Sequence, residues 1–236
     1  RERAPFPVTI HRNPTRLGYG ANFLAAAAMA KADYIAFCDQ DDVWSPYKLE
    51  RGIEALRRED AQLFVHTARL IDEAGNDVGR FSQGIRQGQV VPPLQLAPWG
   101  VFYGFSMIFE REVFQLIDPS RRGAHTFEFQ GLLSHDLWIY FLCSSLFRIV
   151  TCDEPLVKYR QHGSNQTPHV RGAPLRRFTA RLGVKAHPEL KRAQIAEHRA
   201  DLLEQLSRSK GSASVKPEAF RLLKRGQQAC SHDMGE

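Results

Sequence analysis

The sequence lacks any long apolar segment. None of its uninterrupted apolar runs approaches the roughly 20 residues that a helix needs to cross a bilayer. It also lacks a secretory signal pattern, and because it opens without a methionine we expect an upstream segment to be absent from it. The length of 236 residues suits one large domain, or one domain with an appendage.

The sequence contains few cysteines, and their spacing matches no common metal-binding or redox motif. The four cysteines form no CxxC pair and have no histidine neighbours at zinc spacing. This usage favours a reducing, cytoplasmic setting. The chain is basic, with a pI of about 9.3, yet no recognised nucleic-acid-binding motif accompanies the charge, so no nucleic acid partner is expected.

The most informative stretch is 34–44, an apolar run that ends in three carboxylates. Residues 34–38 predict a strand buried in a parallel sheet, and Asp39, Asp41 and Asp42 follow directly. Three neighbouring carboxylates repel one another unless a cation lies between them, and Mg²⁺ or Mn²⁺ binds such oxygens together with substrate phosphates. The alternative is an acidic turn that caps the helix starting at Ser45-Pro46. An EF-hand loop is excluded, because no glycine or glutamate stands at the required positions.

A second candidate is the single aspartate near the start of a very apolar predicted helix over 132–142. Asp136 caps backbone amides together with Ser134, or it serves as a general base. A lone loop histidine, His162, follows two predicted strands at 147–152 and 156–160. A lone histidine in a loop is usually solvated. The alternative is that His162 binds a metal ion, in which case Mn²⁺ is favoured over Mg²⁺, because imidazole suits Mn²⁺ better.

These residues together resemble family 2 glycosyltransferases, most closely the bacterial rhamnosyltransferase-like members that build surface polysaccharides. The resemblance covers roughly residues 8–166. The motifs that carry it follow in the family's order: Asn13, Leu17-Gly18 and Asn22-Phe23; Tyr34 to Trp44 with Pro46 and Lys48-Leu49; His135-Asp136-Leu137-Trp138; and Tyr159 to Asn165.

The resemblance implies the GT-A fold, an α/β class with a Rossmann-like, mostly parallel sheet flanked by helices. It implies a glycosyltransferase domain over residues 1–168 that lacks the family's first strands and their nucleotide-binding aspartates. Residues 169–236 are then a helical, basic C-terminal extension. The strand predicted over 6–11, from its alternating residues, would be about the third strand of the family.

The resemblance also assigns roles to individual residues. Asp136 matches the catalytic base, and Asp39 and Asp41 match metal and diphosphate contacts, with His162 closing the metal shell. Further candidates are donor-binding residues (Asn22, Gln40, Asp42 and Arg160) and residues of the acceptor and sugar pocket (Trp99, Gly104, His135 and Trp138).

The function implied is that of a metal-dependent, inverting hexosyltransferase that uses Mn²⁺ or Mg²⁺. Its donor would be a dTDP- or UDP-sugar, with rhamnose suggested, and its acceptor a saccharide or a lipid-linked molecule. Two alternatives stay open: a degenerate, non-catalytic domain of the same fold acting as a binding module, and another metal-dependent nucleotide enzyme such as a nucleotidyltransferase.

The positive charge is concentrated in the C-terminal part. Residues 171–225 hold 14 Lys and Arg against 5 Asp and Glu. Helical spacing over 188–207 places leucines and Ile195 on one apolar stripe. Such a stripe lies on an anionic membrane, which suits an enzyme peripheral to the inner face of the membrane, or it packs on the domain.

Overall fold

The computed structural model describes residues 5–127, 131–162 and 188–209. These residues form a seven-stranded sheet with helices on both faces. The helices are α1 (Tyr19–Ala28), α2 (Lys48–Glu59), α3 (Arg111–Gln115), α4 (His135–Leu146) and α5 (Pro188–Ser209), and the strands are β1 (Tyr34–Ala36), β2 (Val43–Trp44), β3 (Leu63–Ile71), β4 (Asp77–Phe81), β5 (Gln89–Val91), β6 (Met107–Glu110) and β7 (Ile149–Arg160). The predicted α/β class with flanking helices is confirmed.

The two faces of the sheet are covered by different helices. Strand β3 is buried on both sides, so its residues alternate between two cores. Phe64 packs with Ala55 and Leu56 of α2 on one face. Leu63 and Val65 face the larger core on the other side, which receives side chains from α1, α3, α4 and α5. The functional loops therefore rest on a sheet that is fixed from both sides.

The pairing of the strands differs from the prediction. The order β1-β6-β3-β7-β2 contains one parallel pair, β3 with β7, and the other pairings of the described strands, including those of β4 and β5, are antiparallel. The prediction of a mostly parallel sheet is thus wrong for these strands, and β1 lies at the end of this path. An apolar run identifies a buried strand, but it carries no information about the direction of its neighbour.

The N-terminal segment also departs from expectation. Residues 6–11 alternate in polarity, yet they form no strand in the described structure and are exposed, with Phe6 and Ile10 about two-thirds exposed at 65% and 67%. Alternation alone does not make a strand, because a strand needs a neighbour to accept its backbone hydrogen bonds. No described strand pairs with this segment.

The C-terminal helix α5 packs on the domain through its apolar stripe. Leu202, Leu203 and Leu206 are buried in the same core as α4. This contact favours packing over membrane binding for the described part of the stripe. None of the helices in the described ranges has the length and apolar character of a membrane span. The division between residues 168 and 169 stays a prediction. Helical spacing in the sequence also predicts helices over 175–182 and 217–225, and both segments lie outside the described residues.

Candidate active site

The acidic loop, residues 39–42, lies between β1 and β2 at the C-terminal end of β7. Strand β2 pairs with β7 through Val43 and Lys158, so the loop is held beside the last residues of β7. Ser45 N also donates to Leu156 O at 2.9 Å, which continues this attachment. The fold therefore brings residues about 120 positions apart in sequence to one side of the sheet.

Two carboxylates of this loop, those of Asp39 and Asp42, have pKa values well above the usual range of an aspartate. Partial burial, together with the charges of Asp41 and Asp136 and against that of Lys48, raises the pKa of Asp39 to about 6. Burial likewise raises the pKa of Asp42 to about 7, against the hydrogen bond from Arg160 N. Groups that are this reluctant to hold negative charge are stabilised by a nearby cation, as expected for a metal-binding site.

The imidazole of His162 contacts the acidic loop directly. Its Nε2 lies 2.6 Å from Oδ2 of Asp41, and both side chains are about a quarter to a third exposed. Carboxylate oxygen and imidazole nitrogen are both suitable ligands for Mn²⁺. The structure therefore brings together two of the three predicted metal ligands, with Asp39 close enough to interact electrostatically.

The donor set fits a cation that is shared with a substrate. In the described part of the chain, no group of three or more His, Cys, Asp or Glu side chains is arranged to hold a metal ion by itself. Mg²⁺ and Mn²⁺ are commonly held by one or two carboxylates plus substrate phosphates. Asp41 and His162 could supply the protein ligands of such a site, with Asp39 beside them.

Arg160 is committed to the backbone around the loop. Its guanidinium donates from Nε to Asp41 O at 3.0 Å and from Nη1 to the carbonyl oxygens of Asp72 and Glu73 at 3.1 and 3.0 Å. Its own N–H donates to Oδ1 of Asp42 at 3.0 Å. These bonds tie the acidic loop to the turn after β3. Arg160 thus has a structural role in this arrangement, and its predicted contact with the donor stays a prediction.

Asp136 is the one residue of α4 that is not buried. All the other residues of this helix are buried, so the carboxylate of Asp136 is the most accessible side chain of α4. Ser134 Oγ and Leu137 N both donate to its Oδ1. Phe37, two residues before Asp39, and His135, next to Asp136, have ring centroids 4.7 Å apart, and the charge of Asp136 contributes to the raised pKa of Asp39. The catalytic role of Asp136 stays a prediction.

A buried histidine connects the start of α4 with the neighbouring segments. The His135 ring stacks on Phe23 at 4.2 Å between centroids and meets Phe37 edge-on at 4.7 Å. A Cβ at Gly104 would collide with its Nε2. Gly104 thus permits close packing, and His135, which is only 5% exposed, supports the position of Asp136 from within the core.

The other predicted residues are dispersed. Trp138 is fully buried with an exposed fraction of 0%, so its predicted place in an acceptor pocket is wrong, because the apolar helix around it packs into the core. Trp99 is partly buried beneath the guanidinium of Arg199. Asn22 is exposed on α1, where it accepts a hydrogen bond from Asn13 Nδ2 at 2.8 Å, and Gln40 is exposed in the acidic loop.

The burial of two cations, Lys48 and Arg199, was not predicted from the sequence. Lys48 is fully buried in the first turn of α2, although a cation is unfavourable at a helix N-terminus. Arg199 is 6% exposed and lies on the apolar stripe of α5, four residues after Ile195 and three before Leu202. The sequence does contain a signal for both. Lys48 is a cation in the first turn of a helix, and Arg199 is a cation within an apolar stripe, and both positions are unfavourable for a positive charge.

The fold and the site define an α/β protein with a carboxylate and imidazole cluster suited to a divalent cation. Residues 2–117 match the model of the family described as glycosyl transferase family 2. This match covers just under half of the chain, and it confirms the predicted resemblance to glycosyl transferase family 2 over that segment.

Two further similarities accompany the family match. Over 152 residues the chain is 28% identical to an uncharacterized glycosyltransferase of Nostoc sp. (strain PCC 7120), a match that covers 63% of this chain and 45% of the relative. The chain thus spans less than half the length of that relative. A crystal structure of residues 1–349 of S. aureus TarS in complex with UDP-GlcNAc aligns with a TM-score of 0.42 and 12% identity, covering 84% of this chain and 58% of that chain.

Proposed function

We propose that this chain is the catalytic part of a divalent-cation-dependent, inverting glycosyltransferase. The observation that carries the proposal is the packing of Phe37, which precedes the acidic loop, against His135, which precedes Asp136. Asp41 is in contact with His162 on the donor side, and Asp136 projects from an otherwise buried helix on the other side. The electrostatic interaction between Asp39 and Asp136 supports a single site that contains both.

The two sides of the site suit the two halves of a transfer reaction. A bound Mg²⁺ or Mn²⁺ would neutralise the charge that develops on the diphosphate of the leaving group. Asp41 and His162 would hold that ion, and Arg160 and Asp42 would keep the loop in place. The remaining chemistry falls to the protein, which must orient the acceptor and take up a proton.

Asp136 is proposed to take the proton of the acceptor hydroxyl. The hydroxyl oxygen forms a bond to the anomeric carbon on the face opposite the diphosphate, whose bond to that carbon breaks, so the configuration inverts and no covalent enzyme intermediate is needed. The described hydrogen bonds from Ser134 and Leu137 engage Oδ1 of Asp136 and orient the carboxylate. A positioned base of this kind is worth about 10²–10⁴-fold in rate.

The donor is proposed to be a dTDP- or UDP-linked sugar, with rhamnose as one candidate. The acceptor is proposed to be a saccharide or lipid-linked molecule of surface polysaccharide synthesis, glycosylated in the cytoplasm. These assignments rest on the family resemblance of the motifs at 34–44, 135–138 and 159–162.

A panel of nucleotide sugars tests the proposed function. The chain, with Mn²⁺ present, is titrated with dTDP- and UDP-sugars in a calorimeter and then assayed for release of the nucleoside diphosphate. We expect one nucleotide class to bind only when Mn²⁺ is present, and water to accept the sugar slowly. Absence of Mn²⁺-dependent binding for every member of the panel would count against the proposal.

We expect His162→Ala to weaken Mn²⁺ binding by about 10-fold or more, because the variant loses one of two protein ligands. The affinity is measured by calorimetric titration with Mn²⁺ at a fixed concentration of UDP, because the site is expected to share the ion with the diphosphate of the substrate. His11→Ala, which changes an exposed histidine of the N-terminal segment, is the matched control. Equal Mn²⁺ affinities for both variants would remove His162 from the ligand set.

A further inference from the structure

The turn at residues 72–76, which joins β3 to β4, is connected to the acidic loop by one side chain. This turn begins where β3 ends, beside Arg160, the last residue of β7. The guanidinium of Arg160 contacts both segments. Its Nη1 donates to the carbonyl oxygens of Asp72 and Glu73 at 3.1 and 3.0 Å, and its Nε donates to that of Asp41 at 3.0 Å. The same guanidinium therefore holds the 72–76 turn and the acidic loop together.

The 72–76 turn is closed by hydrogen bonds within itself. Oδ1 of Asp72 accepts the backbone N–H of Asn76 at 2.8 Å, and Oδ2 accepts from Nδ2 of Asn76 at 3.0 Å. The main chain adds two bonds at 3.0 Å, because Asp72 N donates to Asn76 O and Gly75 N donates to Asp72 O. An aspartate that bonds the backbone of its own turn stabilises that turn locally. The carbonyl oxygens that accept from Arg160 therefore have fixed positions.

The other end of this connection is a proposed metal ligand. The end of β7 and the residues after it contact Asp41 twice: its carbonyl oxygen accepts from Arg160, and its carboxylate lies 2.6 Å from Nε2 of His162. The adjacent Asp42 accepts the backbone N–H of Arg160 at 3.0 Å. Groups that orient a metal ligand from outside the coordination shell typically change metal affinity by about 10–100-fold when they are removed. The position of the guanidinium should therefore affect the binding of the metal ion.

We infer that Asp72 and Arg160 are positioning residues of the proposed metal site: the closed turn fixes the guanidinium, and the guanidinium fixes the main chain at Asp41. The part that concerns the metal rests on the proposed function. The inference gives a surface turn control over an ion that the turn does not contact. If Arg160 instead acted only by binding the diphosphate of the donor, opening the turn would leave the affinity for the ion unchanged.

Two substitutions of Asp72 test the inference without altering the acidic loop. Asp72→Ala removes both carboxylate bonds to Asn76, whereas Asp72→Asn removes the charge but keeps an oxygen that can accept the backbone N–H. Mn²⁺ is titrated calorimetrically at a fixed concentration of UDP. We expect Asp72→Ala to weaken Mn²⁺ binding by about 5-fold or more, and Asp72→Asn by less than about 2-fold. Unchanged affinity in Asp72→Ala would overturn the inference. Equal weakening by both variants would assign the effect to the lost charge and would overturn it as well.

Further variants separate positioning from a general loss of stability and from direct binding of phosphate. Asp118→Ala is the matched control, because it removes a carboxylate that accepts the N–H of Ser120 in another turn; it should change Mn²⁺ affinity by less than about 2-fold. Arg160→Met should weaken Mn²⁺ binding at least as much as Asp72→Ala. The double variant should be no weaker than Arg160→Met alone, since the turn acts through the guanidinium. Additive losses in the double variant would contradict this order of action.

Hydrogen exchange tests the positioning role without any metal. The exchange of the backbone amides of residues 39–43 is followed by mass spectrometry in the unaltered chain, in Asp72→Ala and in Asp118→Ala. We expect Asp72→Ala to accelerate this exchange by about 3-fold or more and Asp118→Ala to leave it unaltered, because the turn restrains the opening of the loop. Equal exchange in all three proteins would overturn the inference. If the unaltered chain binds Mn²⁺ with neither UDP nor dTDP, the proposed function fails, and the exchange rates still decide whether the turn positions the loop.

Discussion

Replacement of Asp136 by asparagine is expected to lower sugar transfer by about 10²–10⁴-fold, the contribution of a positioned general base. Asparagine keeps the size of the side chain and can still accept hydrogen bonds from Ser134 and Leu137, so the fold should be unaffected. Because an amide cannot take up the acceptor proton, the loss should appear in kcat. Donor binding should stay within about 3-fold, since Asp136 belongs to the acceptor side of the site.

The measurement is steady-state transfer to acceptor together with calorimetric binding of the nucleotide sugar in the presence of Mn²⁺. Asp33→Asn, a change of an exposed aspartate just before β1, serves as the control and should leave both quantities unaltered. Unchanged turnover in Asp136→Asn would remove Asp136 from the role of base. A fall in donor affinity equal to the fall in turnover would instead assign Asp136 to donor binding.

Replacement of Arg199 by alanine is expected to lower the free energy of unfolding by about 2–4 kcal/mol, because buried hydrogen-bond acceptors lose their donor and a cavity forms. Arg199 donates from Nη1 to Pro98 O at 2.7 Å and from Nη2 to Thr126 Oγ1 at 2.8 Å. Its guanidinium also lies about 5 Å from the ring centroids of Trp99 and Phe141. One side chain therefore joins α5 to α4 and to two loops.

For a chain of this size, the loss corresponds to a fall in melting temperature of about 5–15 °C. Thermal unfolding followed by circular dichroism measures it. Arg192→Ala is the matched control, since it removes an exposed arginine from the same helix and should shift the melting temperature by about 1 °C or less. Equal melting of the two variants would show that α5 contributes little to the stability of the domain.

The elements that were predicted well are those whose apolar residues, as spaced in the sequence, are the residues that the structure buries. The apolar run over residues 63–71 predicts a strand from the sequence alone, and β3 has these same bounds, because its residues are buried on both faces of the sheet. Helix α5 was predicted to start at Pro188 from the spacing of its leucines and was placed within two residues at its end. In these two segments the spacing of the apolar residues is sufficient to predict the secondary structure, because tertiary contacts do not override it.

The pairing of strands could not be predicted, because it depends on partners that are distant in sequence. Residues 147–152 and 156–160 were predicted as two strands, since the turn residues Asp153-Glu154-Pro155 separate them. The structure continues one strand, β7, through this point, with the irregularity absorbed as a shift of register against β3. The neighbouring strands thus overrode the local signal for a turn.

The site was predicted in part for a different reason. The acidic loop was identified as a candidate from charge repulsion alone, whereas the placement of Asp136 opposite it was inferred from the order of the family motifs and stays a prediction. The burial of Lys48 and Arg199 was missed, because the sequence gives the charge of a side chain but not its counter-charge. Trp138 was misplaced because an aromatic residue suits a sugar pocket and a helix core equally well.

The packing of α5 on α4 also has a consequence for how the chain folds during synthesis. The apolar helix at 135–146 leaves the ribosome more than forty residues before the helix at 188–209 that covers it. During that interval Phe141 lacks the covering guanidinium of Arg199, and the leucines of α5 are missing from the shared core. Nascent chains that stall in this interval should therefore be the ones that recruit chaperones, because their core remains open.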